Sequence, residues 1–117
     1  MPCTVLAVDD DPRSAESIQV YLECAGFRVL CACSADQALE MLGKHPVAAL
    51  VTDFEMPGKN GIELIEAVRA TDPNLATCVI SGSQPPEDAE PVWEMWFQKG
   101  RSLSELREYL RRRLGSV

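Results

Sequence analysis

VAALVTDFEMPGKNG, residues 47–61, decides how this chain folds: small and β-branched apolar residues run up to Asp53 and then give way to Pro57, Gly58 and Gly61. A run of this kind reads as a short buried strand whose carboxyl end opens into a loop. A second stretch, VLAVDDDP at residues 5–12, has the same form and ends on Asp9, Asp10 and Asp11. Two such strands side by side bring Asp9, Asp10 and Asp53 into one pocket. Three carboxylates that close repel one another and raise one another's pKa unless a cation sits among them, which points to a hard ion, Mg²⁺ in particular. Asp11 with Pro12 also has a plain structural reading, an N-cap followed by proline at the first helical position.

Outward from these two runs the chain alternates strand with helix. Strands are expected at 4–8, 28–33, 48–52, 76–80 and 95–98, each bounded by polar or turn residues. Helices are expected at 12–24, where Ala15, Ile18 and Leu22 make one stripe and Gly26 a stop, and from the Ser34/Gln37 capping box through Leu42. Asn60 caps a third over 61–70, and Ser102 with Glu105 caps the last, with Leu103, Leu106, Leu110 and Leu114 as its stripe. Such alternation predicts an α/β, doubly wound parallel sheet, and its five strands suit the flavodoxin-like order 2-1-3-4-5. Strands 1 and 3 are then neighbours at the switch point, and Asp9, Asp10 and Asp53 meet there.

Length and composition narrow the function. A chain of 117 residues, 46% apolar, is expected to form one domain over 1–117. No run approaches the roughly 20 apolar residues of a membrane span, and Asp9 interrupts the N-terminal stretch before a secretory core region, so a soluble, cytoplasmic protein without membrane contact is expected. The net charge of −7 is unevenly placed, with 16 acidic and 6 basic residues up to Lys99 against 2 and 5 afterwards. This acidity argues against direct nucleic-acid binding. Arg111, Arg112 and Arg113 oppose the dipole at the end of the last helix. The five cysteines, Cys3, Cys24, Cys31, Cys33 and Cys78, lack metal or redox spacing and read as buried thiols. His45, the lone histidine, falls in a loop beside Pro46 and reads as a loop residue.

The acidic pair after the first strand, Asp53 in TDFEMPGKNG, Ser81 in VISGS and Lys99 in WFQKG occur in the order of the receiver domain of two-component response regulators, which the whole chain resembles. The resemblance implies that Asp53 is the phosphoacceptor, attacking a phosphohistidine donor to form an aspartyl phosphate. Asp10 and Asp53 would ligate Mg²⁺ directly, Asp9 through water, and the backbone carbonyl of Glu55 would complete the protein's share. Lys99 would pair with Asp53 or its phosphoryl group, and Ser81, helped by the backbone N–H of Gly82, would donate to a phosphoryl oxygen. Ser81 and Trp96, three positions before the lysine, would act as the switch. The partners implied are a histidine kinase or a histidine phosphotransfer protein. Chemistry of this type includes self-catalysed phosphorylation and dephosphorylation but no turnover of an outside substrate.

Two departures from the family pattern stand out. Between Ser81 and Lys99 the chain is short and carries Pro85, Pro86 and Pro91, so the fourth helix is expected to be missing or reduced to one turn at 87–89. One sheet face would then be left for Val92, Trp93 and Met95 to cover, and an apolar patch there would suit a homodimer or an effector docking on the fourth connection, fifth strand and last helix. Gly100 stands where a proline usually follows the lysine, which removes the reason to expect a cis bond. A second hypothesis is accordingly a receiver-like module that docks constitutively, without phosphorylation. A third, a hydrolase using an aspartyl phosphate, is opposed by Glu55 in place of a second Asp and by the absence of a P-loop.

Overall fold

Strand β1 (Thr4–Val8) has no polar residue after Thr4 and is buried on both faces, so it takes the middle of a sheet. The computed structural model describes residues 3–100 and 103–115. After β1 come α1 (Pro12–Cys24), β2 (Arg28–Ala32), α2 (Ala35–Leu42), β3 (Ala49–Thr52), α3 (Gly61–Thr71), β4 (Ala76–Ser81), β5 (Met95–Gln98) and α4 (Leu103–Leu114). The five strands are parallel in the order β2-β1-β3-β4-β5, as the alternation predicts. Boundaries differ from expectation by single residues: β2 stops at Ala32, β3 starts at Ala49, β4 runs on to Ser81 and α3 reaches Thr71.

Alternation along the strands separates two cores. Val5, Ala7, Val51, Cys78, Ile80 and Phe97 face α1 and α4, where Ile18, Leu22, Leu106 and Leu110 bury against them. Leu6, Val8, Leu50 and Val79 face α2 and α3, meeting Ala38, Leu64, Ile65 and Val68. Each fully buried leucine contributes roughly 1.5–3 kcal/mol by leaving water, so the two layers rather than any surface pair hold the sheet flat against its helices.

Local chemistry sets the helix ends. Asp11 accepts from the Arg13 N–H with Pro12 behind it, as expected. Ser34 likewise caps α2 through the Gln37 N–H, but the Gln37 side chain reaches one residue further back, to the Cys33 N–H at 2.6 Å. Asn60 and Glu63 form a full reciprocal box on α3, a partner the sequence reading left out. Gly26 has a φ of 99°, the left-handed stop that ends α1. Ser102, the expected cap of α4, lies outside the described residues.

No helix forms between β4 and β5. Ser81 is followed by an irregular strap whose one turn, at Glu87 and Asp88, carries a hydrogen bond from Ala89 N–H to Pro86 O at 3.3 Å. Val92, Trp93, Phe54 and Trp96 cover the sheet where that helix would lie. Met95 does not take part: it pairs with Cys78 in register, points to the α1/α4 side and is 37% exposed. Strand alternation puts Met95 and Trp96 on opposite faces, and only Trp96 looks into the gap.

The thiols also depart from expectation. Cys78 alone is buried, whereas Cys3 and Cys31 are half-buried and Cys24 and Cys33 exposed. Cys24 closes the last turn of α1 off its apolar stripe, and Cys33 lies just beyond the end of edge strand β2. Burial pushes the Cys78 thiol up to about 12, which keeps it neutral and inert. The basic last turn of α4 is present as expected, and Arg113 also forks onto Glu94 (3.0 and 3.1 Å) and the Asn74 carbonyl (2.9 Å), tying α4 to the strap.

Candidate functional site

Asp9, Asp10, Asp53, Glu55, Ser81 and Lys99 lie at the carboxyl edge of the sheet, whereas Trp96 lies within β5. The ladder continues one residue past the strands: Asp9 N–H donates to Ala32 O (3.1 Å), Asp53 N–H to Val8 O (2.9 Å) and Lys99 N–H to Ser81 O (2.7 Å). These bonds fix the backbones of Asp9, Asp53 and Lys99 independently of any side-chain contact. Asp9 is 1% exposed and Asp53 7%, whereas Asp10 faces solvent. One carboxylate oxygen from each of the three lies within 4.8 Å of the others, close enough for one ion to reach all three directly or through a water.

Two of the carboxylates are already engaged on one side. Asp9 Oδ1 accepts from the Asp11 N–H and Asp53 Oδ1 from the Phe54 N–H, each at 2.9 Å, which turns the Oδ2 atoms inward. Lys99 Nζ stands 2.9 Å from Asp9 Oδ2 and 3.5 Å from Asp53 Oδ2. The approach to Asp9 is short but poorly aligned, so this buried oxygen is paired by charge and lacks a directed hydrogen bond. An acceptor in that condition, between two further carboxylates, fits a hard cation with oxygen ligands.

The electrostatics follow. Burial raises the Asp53 carboxyl above its ordinary value and nearby Asp9 adds to the rise, while Lys99 and the Phe54 N–H pull it down without cancelling it. For Lys99 burial acts to lower the pKa, but the contact with Asp9 and the charges of Asp53 and Asp9 outweigh it, and the ammonium is held more firmly than usual.

Ser81 ends β4, 1% exposed, with its Oγ accepting from the Ser83 N–H at 3.1 Å. Glu55 lies in the loop after β3, and its side chain accepts from the Ser83 hydroxyl at 2.6 Å. Trp96 is half-buried and packs on Phe54 (5.4 Å between ring centroids) and edge-on to Trp93 (5.0 Å). His45 lies in the loop between α2 and β3, at the opposite edge of the sheet from the carboxylates. Two contributors escaped the sequence. A Cβ at Gly61 would stand 2.4 Å from the Asp53 carbonyl oxygen, so glycine there lets α3 abut the backbone of the central carboxylate. Ser83 had no signal beyond its place two residues after Ser81.

Residues 5–97 match the response regulator receiver domain family. The chain belongs to that family. Receiver domains are signalling domains rather than turnover enzymes. The hydrogenase transcriptional regulatory protein HoxA of Cupriavidus necator is 41% identical over 85 residues, 73% of this chain. The chain spans only 17% of HoxA's length. Among solved structures, a sensor protein from Polaromonas sp. JS666 is 29% identical with a TM-score of 0.87, covering 96% of this chain and 95% of that one. The response regulator TrrA of Thermotoga maritima, solved with Mg²⁺ and beryllofluoride, shares the fold at 20% identity and a TM-score of 0.88, covering 95% and 98%.

Proposed function

We propose that residues 1–117 act as one phosphoacceptor signalling domain, in which Asp53 takes a phosphoryl group from a histidine kinase or a histidine phosphotransfer protein. The observation that carries this reading is the placement of Asp53: nearly buried at the end of a central strand, 3.5 Å from the Lys99 ammonium and grouped with Asp9 and Asp10. A carboxylate oxygen of Asp53 attacks phosphorus in line, the P–N bond to the donor imidazole breaks, and the imidazole keeps the electron pair and takes a proton from solvent. Asp10 and Asp53 would hold Mg²⁺ directly, Asp9 through water and Glu55 by its backbone carbonyl. Bound Mg²⁺ neutralises charge on the phosphoryl oxygens.

Lys99 offers a compact cation to the acyl phosphate, and contact with the Asp9 carboxylate, together with the charge of Asp53, keeps that ammonium charged against the effect of burial. Ser81 donates its hydroxyl to a phosphoryl oxygen, with the Gly82 N–H beside it. Dephosphorylation is attack of water on the same phosphorus, which returns the Asp53 carboxylate. Ser81 and Trp96 carry the change of state to partners. The domain acts in the cytoplasm on soluble partners; none of the helices among the described residues is long and apolar enough to cross a membrane.

The strap in place of a helix favours a second reading, an interaction module that docks without phosphorylation through the strap, β5 and α4. Intact mass and gel filtration decide between them, with the protein treated with a small phosphodonor or beryllofluoride in Mg²⁺ beside Asp53→Asn. The proposed function expects a base-labile phosphoryl gain or a change of assembly in the wild type alone. Absence of both in the wild type leaves the docking module as the reading.

A further inference from the structure

We propose that Ser83 is a positioning residue for phosphoryl uptake: its backbone N–H orients the Ser81 hydroxyl, while its own hydroxyl and carbonyl are anchored on Glu55 and Trp96. The inference rests on the phosphoacceptor reading of Asp53. Three hydrogen bonds meet at this one residue. Its N–H donates to Ser81 Oγ at 3.1 Å, its Oγ donates to Glu55 Oε1 at 2.6 Å, and its carbonyl accepts from Trp96 Nε1 at 2.9 Å.

A hydroxyl has one proton and two lone pairs. With the Ser83 N–H on a lone pair of Ser81, the Ser81 proton is left free to donate, and rotation about its Cβ–Oγ bond is restricted. Ser81 is thereby held as a donor beside the place where phosphoryl oxygens arrive, which is the preorganisation that electrostatic stabilisation needs. Ser81 could not be held so by a mobile neighbour.

Ser83 needs outside anchors because its own segment supplies none. Beyond it the strap has Pro85, Pro86 and Pro91, which lack N–H groups, and a single turn. A regular helix would order the residues at its start through its own ladder, and here that ladder is missing. One neighbouring loop and one strand supply the anchors instead. Glu55 comes from the loop two residues after Asp53 and makes the short, charge-assisted bond. Trp96 comes from β5 and is itself wedged between Phe54 and Trp93. Through Ser83 the phosphoacceptor loop, the Ser81 loop and the aromatic cluster become one clasp, and Trp96 acts by holding Ser83 in place.

The test follows the rate of phosphoryl uptake from acetyl phosphate in saturating Mg²⁺ by intact mass, for the wild type, Ser83→Ala, Ser83→Thr, Trp96→Phe and the Ser83→Ala/Trp96→Phe double variant. Ser83→Ala and Trp96→Phe should each slow the maximal rate about fivefold, the effect of losing one orienting hydrogen bond. The phosphodonor KM and the Mg²⁺ midpoint should not move, because neither side chain touches donor or ion. Ser83→Thr, which keeps the hydroxyl, should restore the rate. The double variant should fall short of the product of the single effects, since both anchors hold the same residue. Trp96→Phe tests the same anchorage from the other side should Ser83→Ala fail to fold by circular dichroism. Wild-type rates in both single variants, or a shift in Mg²⁺ midpoint in place of rate, overturn the inference alone. A wild type that takes up no phosphoryl group overturns the functional reading, and this inference with it.

Discussion

Replacing Gly61 by alanine tests how the site is built into the fold. The new Cβ would sit 2.4 Å from the Asp53 carbonyl oxygen and 3.1 Å from the Phe54 Cα, both backbone atoms with no rotamer to yield. Ordinary contact begins near 3.4 Å, so about 1 Å of separation has to come from moving α3 or the backbone of Asp53. The bond from Gly61 N–H to Phe54 O at 2.9 Å and the Asn60/Glu63 box resist that movement. Overpacking of this kind costs roughly 1–3 kcal/mol, against a gain of at most about 1 kcal/mol from alanine's helix propensity. A 2.4 Å contact on backbone atoms belongs in the upper half of that cost, so the net is a loss of about 1–2 kcal/mol. At roughly 2 cal/mol/K of unfolding entropy per residue, 1 kcal/mol moves Tm by about 4 °C in a chain this long, so a fall of about 4–8 °C is expected. Thermal unfolding by circular dichroism measures it, with Gly82→Ala as control, since a Cβ there meets nothing within 4 Å. A Gly61→Ala protein that melts at or above the wild-type temperature would refute the close-approach argument.

Three further perturbations separate the electrostatics from the packing. Lys99→Met leaves the buried Asp9 carboxylate without its counter-charge, and because the ammonium is about a third exposed the cost in chelator should be about 1–2 kcal/mol by urea unfolding. Added Mg²⁺ should recover part of it, and equal stability of the two proteins in chelator would contradict the pairing. Mg²⁺ at about 100 times its dissociation constant should stabilise the wild type by about 2.7 kcal/mol, and Asp53→Asn should shift the whole titration to higher Mg²⁺. Identical titrations would remove Asp53 from the metal site. Burial alone would raise Glu94, but Arg113 and Tyr109 hold its carboxyl below the ordinary 4.5. Stability from this group is therefore complete above 4.5 and lost as pH falls through the lowered value. Glu94→Gln should flatten that acid decline in Tm, and an unchanged slope would exclude the Glu94–Arg113 fork as its source.

Much of this was legible in the sequence because it depends on neighbours along the chain. A run such as Val5–Val8 has no polar face to give to water and must be covered on both sides, which forces parallel strands with crossover helices. Asp9, Asp53 and Lys99 each follow directly on a strand and Ser81 ends one, so strand order alone carries them to one edge. Three prolines between Ser81 and Met95 removed the donors that a helix there would need. Where the reading missed, it was because the deciding partner is distant in the chain. Residue type alone puts Met95 on the open face, but its register with Cys78 turns it away. Residue type alone makes Cys24 and Cys33 buried thiols, yet their positions at the ends of α1 and β2 leave them in water.

The sequence by itself determined the alternating architecture, the strand order and which side chains gather at the carboxyl edge, since period, caps and turn residues act over a few positions and leave one economical way to bury the apolar runs. Only the tertiary structure decided how that edge is held: the Lys99 ammonium against Asp9, the Asp53 carbonyl against Gly61, and Ser83 between Ser81, Glu55 and Trp96. These are contacts of a few ångströms between segments far apart in the chain, and their distances are set by the packing of the two layers, which no local pattern encodes.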